Sequence, residues 1–163
     1  IAASNLTISF WVKSATSSQT NYSGIISKTP VTSNIAGASQ YHIGISLSQR
    51  LRFVVGFSPS GCDLKYGSET TGDVPQLTLN TWENIAMTWN GDTIIAYKNA
   101  TAVATKTSPS ATAPTSKTDA LRIGNRPGYA SFNGNIGPIH IYNRALSANE
   151  VLHNYNALKG RFE

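Results

Sequence analysis

Near the N-terminus Leu6, Ile8, Phe10 and Val12 alternate with Thr7, Ser9, Trp11 and Lys13, the period of two that lays one face of a strand on a core. The same reading predicts strands over 41–47, 51–57, 83–89, 93–98, 121–124 and 136–142, parted by turn-rich pieces such as Ser48-Gln49-Arg50 and Asn90-Gly91-Asp92. Leu51, Phe53, Val55 and Phe57, with Ile85, Met87 and Trp89 and then Ile94 and Ala96, supply a large apolar layer. Near the C-terminus the period changes. Ser147 followed three residues later by Glu150 is a helix-start signature, and Val151, Leu152, Tyr155 and Leu158 follow at spacings of three and four before Gly160 ends the helix. Many short strands, tight turns and one terminal helix define an all-β, antiparallel jelly-roll β-sandwich with a short C-terminal helix, not alternating β-α units. The long polar connections, 14–23, 29–39, 58–75 and 107–119, are where local function is expected.

Order and spacing then carry a family resemblance over about 150 residues. Thr7-Ile8-Ser9-Phe10-Trp11-Val12-Lys13, Ile25-Ile26-Ser27-Lys28, Leu79-Asn80-Thr81-Trp82 running on to Thr88-Trp89-Asn90-Gly91, and the stretches 121–128 and 132–146 together resemble laminin-G-like domains of the concanavalin A-like lectin/glucanase superfamily, in the form carried by phage structural proteins. The resemblance implies a single domain over 1–163, a fragment of a longer chain whose first strand lies upstream or comes from another chain. It further implies a non-catalytic virion module, either capsid decoration (cement) or part of an attachment structure. Such a module acts through contacts with other virion proteins and with its own copies at the virion surface. Two departures stand out: the turn at Tyr97-Lys98-Asn99-Ala100 lacks its usual glycine, and Ile136-Gly137-Pro138 stands where many relatives carry Ile-Asp-Glu.

The net charge of +5 reflects few acids, 8 against 13 Lys and Arg, and the bases are scattered, so nucleic acid is not an expected partner. No apolar run approaches the roughly 18 residues that span a bilayer, so membrane insertion is not expected either. Cys62 is alone, which excludes an internal disulfide. Its setting, Ser58-Pro59-Ser60-Gly61-Cys62-Asp63, reads as an exposed turn, and the sharper expectation is a disulfide between chains.

The chemistry-bearing residues point away from an enzyme. No two of the eight acids, Asp63, Glu69, Asp73, Glu83, Asp92, Asp119, Glu150 and Glu163, lie within two positions of each other, so the paired carboxylates of glucan hydrolysis are not placed on one strand. Calcium needs six to eight oxygen ligands, to which Asp63, Asp73, Asp92 and Asp119 could each contribute singly from loops. No cofactor is expected, calcium being the one metal with any support. His42, His140 and His153 read as structural, satisfied histidines. A sugar site combines an aromatic face for a pyranose with hydrogen-bonding polar groups. The stretch 124–133 offers Asn125, Arg126, Tyr129 and Asn133 in one turn-rich connection, with Tyr22 and Tyr66 as further loop aromatics. The competing reading has Asn125 and Arg126 fixing the turn while Tyr129 or Phe132 packs beneath it. A carbohydrate-binding, lectin-like module of a secreted or surface protein is therefore the alternative to the virion role, with surface glycans as partners and an extracellular location.

Overall fold

Residues 5–20, 22–29, 40–56, 62–65, 71–108 and 118–163 are described by a computed structural model. Among these residues eleven strands form two antiparallel sheets: β1 (Leu6–Ser14), β2 (Ser23–Lys28), β3 (Tyr41–Ile45), β4 (Leu51–Val55), β5 (Cys62–Leu64), β6 (Thr71–Gly72), β7 (Glu83–Trp89), β8 (Thr93–Lys98), β9 (Thr101–Thr107), β10 (Leu121–Ile123) and β11 (Gly134–Tyr142). One sheet has the order β11-β1-β7-β8-β9-β6 and the other β10-β2-β3-β4-β5, and the two stack as a sandwich. The predicted alternation places the side chains as expected. Leu6, Ile8, Phe10 and Val12 of β1 and Ile85, Met87 and Trp89 of β7 meet Ile43, Ile45, Leu51, Phe53 and Val55 in one apolar core.

Trp11 points the other way, and the C-terminal segment covers it. Helix α1 (Ala148–Leu158) starts at a full capping box: the Glu150 amide donates to Ser147 Oγ at 3.3 Å, and the Ser147 amide donates to Glu150 Oε2 at 2.9 Å. Val151 and Leu146 pack on Ala86 and Tyr97 on the outer face of the six-stranded sheet. Phe162 stacks on Trp11 with ring centroids 4.4 Å apart, and Tyr155 lies on the same ring at 5.6 Å. Thr7 Oγ1 fixes the entry to the helix, accepting from the Leu146 amide at 2.9 Å while donating to the Arg144 carbonyl at 2.8 Å. Leu152, placed by its spacing on the packed face, is instead exposed. Gly160 does not end the helix; it sits inside a 3-10 turn, Lys159–Arg161, that brings Phe162 back to Trp11.

Several boundaries move for physical reasons. The strand expected over 41–47 stops at Ile45, where the 3-10 turn Leu47–Gln49 reverses the chain with Ser48 and Gln49 at positive φ. The strand expected over 51–57 stops at Val55, and Phe57 lies outside the described residues. Strand β9 went unanticipated because Thr101–Thr107 carries little apolar patterning; it is held by its hairpin ladder with β8. Cys62 is not in an exposed turn. It opens β5 opposite Val55, 0% exposed, with its thiol 3.7 Å from the Lys106 carbonyl. The exposed-turn reading is thereby corrected, and the thiol is buried within this chain. Asp63, expected in a loop, is likewise a strand residue.

The end strands β10 and β11 bound the sandwich on one side. Leu121 and Ile123 of β10 lie in register with Lys28 and Ile26 of β2, yet they remain 45% and 55% exposed. Across from them Ile136, Ile139 and Ile141 of β11 are only partly buried against the core. No strand among the described residues pairs with the free edge of either.

Candidate functional site

Among the described residues no helix covers the outer face of the five-stranded sheet. Because strand side chains alternate, Ser27, His42, Val54 and Asp63 form one outward row and Gly44 and Arg52 the next, as the registers of β2 to β5 dictate. The connection from β10 to β11 folds over this face. The Gly124 amide donates to the Ile25 carbonyl at 2.8 Å, Ser27 Oγ donates to the Asn125 carbonyl at 2.9 Å, and the Phe132 amide returns to the Gly124 carbonyl at 2.9 Å. Gly24 makes the approach possible, since a Cβ there would lie 2.6 Å from Arg126 Cβ and 2.7 Å from the Asn125 carbonyl oxygen.

The result is a row of two aromatic rings with a cation at each end. The Arg126 guanidinium lies 3.7 Å from the centroid of the Tyr129 ring, Tyr129 meets Tyr22 edge-on at 6.0 Å, and the Arg52 guanidinium lies 5.4 Å from the Tyr22 ring. Each such cation–ring contact is worth about 0.5–2 kcal/mol, more as it is desolvated. Arg52 is also gripped by Asp63 through two hydrogen bonds of 2.9 and 2.6 Å, and Lys65 approaches the same carboxylate at 3.4 Å. Burial raises the pKa of Asp63, but the Arg52 hydrogen bonds and charge, with Lys65, outweigh it and hold the carboxyl below its usual range. Tyr22 sits at φ 66, a conformation costly for a bulky residue. Backbone strain of this kind marks a ring held in place by its surroundings.

Beneath the rings lie two buried polar side chains. Arg126 is 2% exposed, and its Nη1 has no hydrogen-bond partner among the described residues. His42 is buried, and both its ring nitrogens are likewise without a hydrogen-bond partner among the described residues. Burial, and then the charges of Arg126 and Arg52, push the His42 pKa down to about 3, so the ring is neutral at physiological pH.

Of the four site residues expected from the sequence, the structure joins Arg126 and Tyr129. Asn125 fixes the turn, its amide nitrogen donating to Ser131 Oγ at 3.0 Å, and Phe132 packs in the core beneath. Asn133 is tied to Gln19: its amide donates to Gln19 Oε1 at 3.0 Å and its carbonyl accepts from Gln19 Nε2 at 2.5 Å. Tyr66 lies outside the described residues. Arg52, Asp63 and His42 escaped notice as site residues because only strand register brings them to the turn.

An open groove of about 670 Å³ runs beside Arg50, Asp73, Pro75, Gln76, Lys98 and Val103. It holds no aromatic side chain, and its principal cations already have protein partners: Lys98 Nζ is 2.7 Å from Glu83 and donates to the Gln76 carbonyl at 2.6 Å, while Arg50 lies 3.9 Å from Asp73. Among the described residues no group of three or more His, Cys, Asp or Glu could hold a metal ion.

A sandwich of two antiparallel sheets with an aromatic and cationic cluster on one outer face defines a lectin-like architecture. The chain belongs to the concanavalin A-like lectin/glucanases superfamily, whose laminin-G-type family model matches residues 1–152. No curated protein matches it in sequence. Among solved structures it is similar to domain 4 of AbnA, a GH43 extracellular arabinanase from Geobacillus stearothermophilus, in complex with arabinotriose, with TM-score 0.69 and 17% identity over 94% of this chain and 67% of that one. The native heptameric SAP-like pentraxin from Limulus polyphemus gives 0.63 and 18%, over 92% and 69%. The binding domain of Paraclostridial Mosquitocidal Protein 1 gives 0.65 and 18%, over 96% of this chain but only 38% of that one. At these identities the likeness is one of fold.

Proposed function

We propose that this domain is a non-catalytic recognition module that binds carbohydrate on the outer face of the five-stranded sheet, outside the cell or on a particle surface. The observation that carries the reading is the row Arg126, Tyr129, Tyr22, Arg52, in which two tyrosine rings that meet edge-on are flanked by guanidinium groups. Stacking of an apolar pyranose face on tyrosine, with polar groups of the turn at its rim reaching the hydroxyls, is the chemistry such a row offers. The arabinotriose held by domain 4 of the arabinanase supports glycan as the ligand class for this fold. A glycan array followed by titration calorimetry tests it. Binding that falls about tenfold in Tyr129→Ala and in Tyr22→Ala is expected, and an array without hits, alongside a folded protein, overturns it.

A second reading has the domain decorating a phage particle through protein contacts. The observation in its favour is the half-exposed apolar edge formed by Leu121 and Ile123, facing partly buried Ile136, Ile139 and Ile141. Burial of such an edge in a subunit contact would drive association. Sedimentation distinguishes the two: oligomers that dissociate in Ile123→Lys support this reading, and a monomer at all concentrations opposes it.

A further inference from the structure

We propose that Arg126 is the receptor for a carboxylate carried by the bound sugar, so that the site selects acidic glycans over neutral ones; this rests on the glycan-binding reading above. Arg126 is a buried cation, and no carboxylate among the described residues lies within ion-pair distance of it. The nearby Asp63 is already shared by Arg52 and Lys65. A buried charge is costly unless it is paired, and contact with the Tyr129 ring offsets only part of that cost.

The geometry suits a carboxylate better than a hydroxyl. A buried guanidinium nitrogen gains most from an anionic acceptor, because a charge-assisted hydrogen bond is roughly twice as strong as a neutral one, and Nη1 is the nitrogen without a partner among the described residues. His42 adds a neutral imidazole next to the guanidinium, also without partners among the described residues, which can donate a further hydrogen bond to an anion without itself carrying charge. Tyr129 lies over the guanidinium at 3.7 Å, so binding of the carboxylate requires that ring to move aside. The floor is bare because Gly24 and Gly44 face each other across β2 and β3, so that Arg126 and His42 lie where two Cβ atoms would stand.

The test is titration calorimetry of the full chain with three probes: an oligogalacturonate, a sialyl-oligosaccharide and a neutral arabino-oligosaccharide. Each acidic probe is paired with its methyl ester, so that the sugar stays and the charge goes. One acidic probe is expected to bind, its ester about tenfold or more weaker, and which probe it is separates a hexuronic from a sialic source of the carboxylate. In Arg126→Gln, checked for folding by circular dichroism, the acid and the ester are expected to bind equally. If that variant does not fold, the acid-to-ester ratio on the native chain decides alone. Ester or neutral sugar bound as tightly as the acid overturns the inference and leaves the glycan reading standing. No binding by any of the three removes both.

Discussion

Gly24 of β2 lies so close to Arg126 that a single added methyl group would have its carbon 2.6 Å from Arg126 Cβ, well inside van der Waals contact. The other obstacles are the carbonyl carbon and oxygen of Asn125, backbone atoms that cannot rotate away. Gly24→Ala should therefore lift the whole turn from the sheet. A loss of about 1–3 kcal/mol, the usual range for overpacking, is expected in urea unfolding, together with weaker glycan binding. An unchanged midpoint would mean that the turn is not held against β2.

His42 makes stability depend on pH. Its folded pKa lies near 3, against about 6.5 in an unfolded chain. The neutral ring contributes stability that is fully present above pH 6.5. As pH falls from 6.5 toward 3, the unfolded chain takes up a proton that the folded one refuses, and the folded state loses up to about 1.4 kcal/mol per pH unit. His42→Gln is expected to flatten this stretch of the profile when urea unfolding is compared at pH 7.5, 5.5 and 4.5. Parallel profiles for the two proteins would place a partner or water on the imidazole.

Cys62 offers a clean probe of the β5 edge. Its side chain is buried, and burial pushes the thiol pKa up, which lowers its reactivity. A thiol reagent should leave the native protein unlabelled and react fully in denaturant, and non-reducing gels should show no covalent dimer. Rapid labelling of the native chain would mean that β5 opens readily.

The β8–β9 turn carries avoidable strain. Asn99 and Ala100 have φ of 48° and 64°, the pair of left-handed residues that a two-residue hairpin turn demands. Asparagine tolerates this, and its side chain accepts from the Asn84 amide at 2.9 Å. Alanine gains nothing in return, so Ala100→Gly should raise stability by about 1 kcal/mol, the left-handed penalty of a Cβ less the entropy cost of glycine, read as a higher melting temperature with the same unfolding slope.

Much of the sandwich was legible in the residues because its signals are local. Alternation in 6–13 and 83–89 names the buried face of each strand, since a strand has only two faces. Ser147 and Glu150 announce a helix because a capping box closes within one turn. Leu152 misled because its spacing alone does not say which part of a helix face meets the sheet, and the contact is made by Val151 and by the returning Phe162.

The candidate site was legible in part. Arg126 and Tyr129 lie three residues apart, and their turn residues mark them. Arg52, Tyr22 and His42 come to them across strand pairings whose register depends on the summed packing of both sheets. Cys62 follows the same rule: Pro59 and Gly61 point to a turn, while the ladder with Val55 and the closing core decide that the thiol is buried. Local order determined the elements and their faces. Only the tertiary structure decided which charged and aromatic side chains meet, because that juxtaposition belongs to the pairing of distant strands and not to any one stretch of the chain.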